Sequence, residues 1–324
     1  MQSGNTDPGS TQCGECTPAG EAPTWLAAWL RVPRPRRLRV GGFVGYLALL
    51  ALLFIQPLTS LIVFAYSAQG GLYSHILAIP FIAGYLLYID WEQPLATDKG
   101  SFFGTITLGA IGIAALAHGG PGIATSLASA ATAFVSFAVA GGFLFFGSRW
   151  MAAMAFPFAF LVFLIPLPSA ALNWLENASA IASTEVAVLF FRLTGVPLVQ
   201  RGTELQLAGN WYVVGPECSG IRSTLVLFVV TLLVAHLFLK TRWRRTALVA
   251  FVVPIGIVRN GFRIWGILLL CVRIGPHMIN SPIHRQGGPW FLALSLIPMS
   301  LLFLWLRSRE SRQTGSRAPA GSEE

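Results

Sequence analysis

The stretch that decides how this chain folds is "GPECSGIRSTLVLFVVTLLVAHLFL", residues 215–239. After Gly220 it is apolar almost without interruption, and it is long enough to be a membrane span. A helix needs about 20 such residues to cross roughly 30 Å of hydrocarbon. Its foot is different: Glu217, Cys218 and Arg222 crowd the start of the run. Ionisable groups at the end of a span are expensive and mark candidate functional positions.

The rest of the chain repeats this composition. Of 324 residues, 54% are hydrophobic and only 11% are charged; a soluble domain carries about 25% charged residues. The expected fold is therefore an all-α polytopic membrane protein. About eight transmembrane helices are expected, near 43–66, 72–89, 102–118, 123–147, 151–167, 220–239, 246–270 and 289–306. The net charge of +9 sits in short basic runs between apolar segments, with no basic face of interleaved aromatics. That pattern encodes topology and argues against nucleic-acid binding.

Three runs set the expected orientation: Arg31 to Arg39, Lys240 to Arg245, and Arg307 to Arg317. An even number of spans puts all three on one side, which the positive-inside rule makes cytoplasmic. Residues 1–38 and 307–324 are then expected as disordered cytoplasmic tails around a transmembrane unit at 39–306. Cys13 and Cys16 form a lone CxxC in the first tail, and no nearby histidine or second pair completes a zinc set.

Segments 168–217 and 272–288 are expected on the extracytoplasmic side. The first begins with "NWLENASAIASTEVAVLFFRLTG", residues 173–195, which is expected to form an amphipathic helix at the interface. It ends with "VPLVQRGTELQLAGNWYVVG", residues 196–215, whose alternation around Ala-Gly-Asn predicts a β-hairpin. The hairpin leads straight to Cys218.

Pro216 suits a first helical position. That predicts Cys218 in the first turn, near unpaired N–H groups that favour a thiolate. Arg222, one turn on, would share its face, while Glu217 opposes the effect. Local context alone does not decide between an inert thiol and a nucleophile. In the next span, Arg259 and Arg263 lie four apart on one face, beside Asn260. A cationic face beside a thiolate suits an oxyanion or a substrate carboxylate. A cysteine nucleophile also needs a proton carrier. Topology admits His75, His277 and His284, and spacing does not choose among them.

Three motifs occur in order: "PECSGIRS", then "NGFRI", then "HRQGG". They resemble the exosortase/archaeosortase family, as do "YSHILAIPFIAGYLLY" and "FPFAFLVFLIPLP"; the likeness runs over roughly residues 40–306. Glu217 stands where that family commonly has Ala. The resemblance implies a membrane-embedded cysteine protease or transpeptidase needing no metal or cofactor. It implies Cys218 as nucleophile, Arg263 as oxyanion stabiliser or substrate orienter, and His284 as general acid and base. Arg222, Arg259, Asn260 and His75 become candidates for substrate binding. The implied partners are the lipid bilayer and exported proteins with a C-terminal signal. That signal is a Pro-Glu-Pro-like motif, a transmembrane helix and a basic tail. The implied location is the bacterial inner membrane, with both termini cytoplasmic and the active site facing outside. The contrasting expectation is a non-catalytic transporter, or an assembly factor for extracellular polysaccharide export.

Overall fold

The computed structural model describes residues 34–66, 71–89, 100–119, 123–215, 218–280 and 288–315. Helices dominate, and one three-stranded sheet is present among the described residues. Helix α1 (Arg34–Leu53) meets α2 (Ile55–Tyr66) at a 71° bend around Phe54. A 3-10 helix, Gly71–Ala78, runs into α3 (Ile79–Ile89). Helix α4 (Phe102–Ala117) packs along α5 (Ile123–Phe146). The short helices α6 (Ser148–Ala153) and α7 (Ala155–Phe160) and the 3-10 turn Leu161–Leu164 follow.

Pro166 and Pro168 then stop the helix, because proline has no N–H and drives its preceding residue out of the α region. Helix α8 (Ser169–Leu193) leaves the preceding segment at 88°. After the sheet come α9 (Ile221–Phe238), α10 (Arg242–Ala250), α11 (Val252–Arg273), a 3-10 helix at Pro276–Asn280, and α12 (Gly288–Gly315).

The chain is a multi-pass membrane protein. Four helical stretches among the described residues are long and apolar enough to cross: Ser126–Phe146, Ile221–Phe238, Arg242–Arg273 and Trp290–Gln313. The count rises to six if each of the two bent pairs is one span. Two of the eight expected crossings correspond to shorter apolar helices, His75–Ile89 and Phe102–Ala117. The expected fifth is the short arm that turns at Pro166 into α8. Hydropathy marks apolar runs, but it does not register where a run bends.

Helices α10 and α11 form one rod of 32 residues. At 1.5 Å per residue it is about 48 Å long, well beyond the roughly 30 Å of hydrocarbon. The surplus carries the sheet. Residues Ile264, Ile267, Leu268 and Cys271 of α11 share a core with Ala180, Ala187, Val188 and Phe191 of α8, and with Leu205, Leu207, Tyr212 and Val214. Helix packing here relies on close approach, since lipid offers no hydrophobic drive between helices. At Gly261 an added Cβ would lie 2.6 Å from Val186 Cγ1 and 3.0 Å from the Ser183 carbonyl oxygen. Only a bare backbone lets α8 and α11 meet there.

The sheet is antiparallel in the order β1 (Val199–Arg201), β2 (Glu204–Leu207), β3 (Asn210–Val213). The expected single hairpin is thus two hairpins in succession. The second turn is Ala208-Gly209, with φ of 48° and 81°. Two positive φ values in a two-residue loop match the twist of the flanking strands.

At the opposite end of the rod, Arg244 is buried and lies 3.7 Å from Glu310. Glu310 also accepts from the backbone N–H groups of Lys240 and Thr241, at 3.1 and 2.7 Å, and from the Thr241 hydroxyl. Helix α12 therefore continues beyond residue 306 to Gly315, held against the start of α10.

Candidate functional site

Cys218 sits in the short connection between β3 and α9. Its N–H donates to the Gly215 carbonyl at 2.9 Å. The helix begins only at Ile221, with Gly220 as its N-cap. Cys218 is therefore in a 3-10 turn that precedes α9, where Pro216 had suggested the first turn of the helix itself. Gly220 has φ of 69°, a left-handed conformation that interrupts helical continuation. Pro216 and Glu217 lie outside the described residues.

Helix α11 clamps this connection. Asn260 Nδ2 donates to the Cys218 carbonyl at 2.7 Å. Arg259 Nη2 donates to the Gly220 carbonyl at 3.0 Å and to Thr224 Oγ1 at 3.1 Å. From α8, Ser179 Oγ donates to the Ser219 carbonyl at 2.7 Å. An added Cβ on Gly220 would lie 2.7 Å from Asn260 Oδ1. Glycine at 220 thus serves both the turn and the approach of Asn260. Three helices and the sheet converge on the backbone around one thiol.

That thiol opens onto a small cleft of about 40 Å³. Cys218, Asn260 and Arg263 line it together. Its remaining walls are Tyr212, Val213 and Val214 on one side, and Ile264, Ile267, Leu268 and Ile279 on the other. Arg263 is close enough to Cys218 for the two groups to interact electrostatically. Burial between the sheet and the helices, with Cys271 nearby, pushes the Tyr212 phenol above its ordinary pKa.

The residues singled out in the sequence separate into groups. Cys218, Asn260 and Arg263 come together in the cleft. Arg259 lies directly behind it, 5% exposed and bonded to backbone, as a clamp on the connection. This geometry does not present Arg259 to a substrate. Arg222 is exposed and does not line the cleft. His75 lies on the 3-10 helix Gly71–Ala78, whose Ile76 shares a core with Ile221. His277 is exposed on the 3-10 helix that follows α11. His284 lies outside the described residues.

Sequence reading did not single out Tyr212, Val214, Ile264, Ile267 and Leu268 as part of the site. The three from α11 follow Arg263 at helical spacing and could have been read as a continuation of its face. The two from the strand carried no signal beyond alternation. Ser179 and Thr224, which hold the connection, look in the sequence like ordinary small helix residues.

Comparison with known proteins identifies a family. Residues 67–304 match the family described as transmembrane exosortase. No curated protein and no solved structure matches the chain.

Proposed function

We propose a function from one premise: the chain belongs to the transmembrane exosortase family, and so to the membrane-embedded protein-sorting transpeptidases. Its substrates are accordingly proteins that carry sorting signals, met in the context of the lipid bilayer. Within that frame we assign the chemistry to Cys218. The observation that carries the assignment is the convergence of Cys218 and Arg263 on one cleft whose other walls, apart from Asn260 and Tyr212, are apolar.

In this reading the Cys218 thiolate attacks the carbonyl carbon of the scissile peptide bond. A C–S bond forms, and the carbonyl oxygen takes up the negative charge. The Arg263 guanidinium faces that oxyanion; a donor so aimed contributes about 10²–10³ in rate. Collapse of the intermediate breaks the C–N bond, and His284 supplies the proton that the departing amine needs. The thioester is then resolved by an acceptor amine or by water, with His284 taking the proton back. Asn260 and Arg259 fix the backbone that carries the thiol. The signal cleaved is a C-terminal Pro-Glu-Pro-like motif followed by a transmembrane helix and a basic tail. The basic runs support a bacterial inner-membrane topology with both termini cytoplasmic and the cleft facing outside.

Processing of a co-expressed secreted protein bearing such a signal tests this directly. Mass spectrometry should find the shortened protein with the wild-type chain and none with Cys218→Ala. The His284→Ala variant should accumulate the thioester or stay inactive. Undiminished processing by Cys218→Ala would sink the assignment.

A further inference from the structure

We propose that the open edge of β3 receives the substrate peptide as an added fourth strand, which delivers the scissile bond to Cys218. This rests on the thiol-transfer reading above and specifies how its substrate is held.

The register of the sheet shows which groups are available. Leu207 and Asn210 flank the two-residue turn and face each other, as do Leu205 and Tyr212. Val214 N–H donates to the Thr203 carbonyl at 3.0 Å. In an antiparallel pair the bonded positions alternate. Asn210, Tyr212 and Val214 therefore turn their backbone groups toward β2. Trp211 and Val213 turn theirs the other way, to the edge opposite β2. Among the described residues no strand pairs with that edge. Trp211 is 44% and Val213 is 64% exposed.

The cleft meets this edge at Val213. Tyr212, Val213 and Val214 all line it, although they are consecutive. Successive strand side chains point to opposite faces, so a cleft that meets all three reaches past the inward face of Tyr212 and Val214 to Val213. Its far wall, Ile264, Ile267 and Leu268, is a helical apolar stripe that is mostly buried. Cys218 and Arg263 line the same space. Main-chain pairing supplies affinity in such strand addition, and side-chain pockets supply selectivity.

The geometry also sets a rule for the peptide. Only every second residue must offer an N–H to Trp211 or Val213. Proline is acceptable at the intervening positions and excluded from the paired ones. In a Pro-Glu-Pro segment the glutamate is then the paired residue, because it alone of the three has an N–H. The next paired residue is the second after it.

A fluorescent synthetic peptide with Pro-Glu-Pro at its centre and apolar flanks tests this against the full-length Cys218→Ala protein in detergent micelles, read by anisotropy. Backbone N-methylation of the glutamate, or of the second residue after it, should weaken binding roughly tenfold, as expected for a lost hydrogen bond with added crowding. N-methylation of the third residue after it should leave binding unchanged. Val213→Pro, which removes an N–H from an edge where proline is tolerated, should weaken binding similarly. No binding, or equal sensitivity at all positions, would overturn the proposal. So would a Val213→Pro protein that binds the peptide normally but no longer self-associates, since the edge would then serve a second copy. If the period-two pattern holds but the wild-type protein never shows the mass of a peptide thioester, strand addition stands and the thiol-transfer reading falls.

Discussion

Arg259 and Arg263 are one helical turn apart and have different tasks. The first is buried and donates to the Gly220 carbonyl; the second lines the cleft with Cys218. Substitution should separate them. Arg263→Lys keeps the charge but loses the planar fork. It should lower processing by about tenfold or more while leaving the melting temperature near wild type. Arg259→Ala leaves the Gly220 carbonyl short of a donor and should cost about 1–3 kcal/mol of stability, visible as a lower melting temperature in detergent. If the two variants gave the same profile, the division would be wrong. Gly220→Ala should act like Arg259→Ala and more strongly. It combines a left-handed φ, worth about 1 kcal/mol, with the clash against Asn260 Oδ1. Residue types at these positions were legible in advance, since two arginines and an asparagine in an apolar run demand a reason. Their division of labour was not, because i,i+4 spacing says only that two side chains share a face. What each one touches depends on the neighbouring element.

At the scale of elements, the contact between α8 and α11 holds the sheet over the thiol. Gly261 is a point of close approach in that contact. Gly261→Leu should push the helices apart at a cost of about 1–3 kcal/mol from overpacking. Peptide processing should fall together with the melting temperature, because the wall formed by Ile264, Ile267 and Leu268 moves with α11. A circular-dichroism melt alongside the processing assay checks this; a stable, fully active Gly261→Leu protein would refute it. The strands were readable from alternation, and the Ala-Gly turn from its composition. The first hairpin was missed because Gly202-Thr203 lacks a strong turn signature and β1 is only three residues long. Pro166 and Pro168 were visible too, but a proline marks a break and leaves open the direction in which the chain departs.

For the whole molecule, the rod Arg242–Arg273 joins the two ends of the fold. One end holds Arg244 against Glu310, and the other carries the sheet and the cleft. Arg244 is buried and Glu310 is partly exposed, so losing the carboxylate costs less than breaking a fully buried pair, about 1–3 kcal/mol. Glu310→Ala should therefore lower the melting temperature while leaving the reactivity of the Cys218 thiol intact in protein that remains folded. Titrating the Cys218 thiol in that fraction with a maleimide checks the second half. Topology is tested by placing a reporter after Gly315 and a membrane-impermeant label at Trp211→Cys. A cytoplasmic reporter with outside labelling is expected, and both on the same side would overturn the orientation. Composition alone determined that this chain lives in a membrane, because so few charges cannot cover the surface of a soluble domain. Residue types and spacing also determined which polar groups had to be accounted for. The tertiary structure decided which of them meet. Cys218 and Arg263 are 45 positions apart in sequence, and no periodicity relates them. It also decided that residues of the neighbouring strand line the cleft, since that depends on hydrogen-bond register and on which helix covers which face.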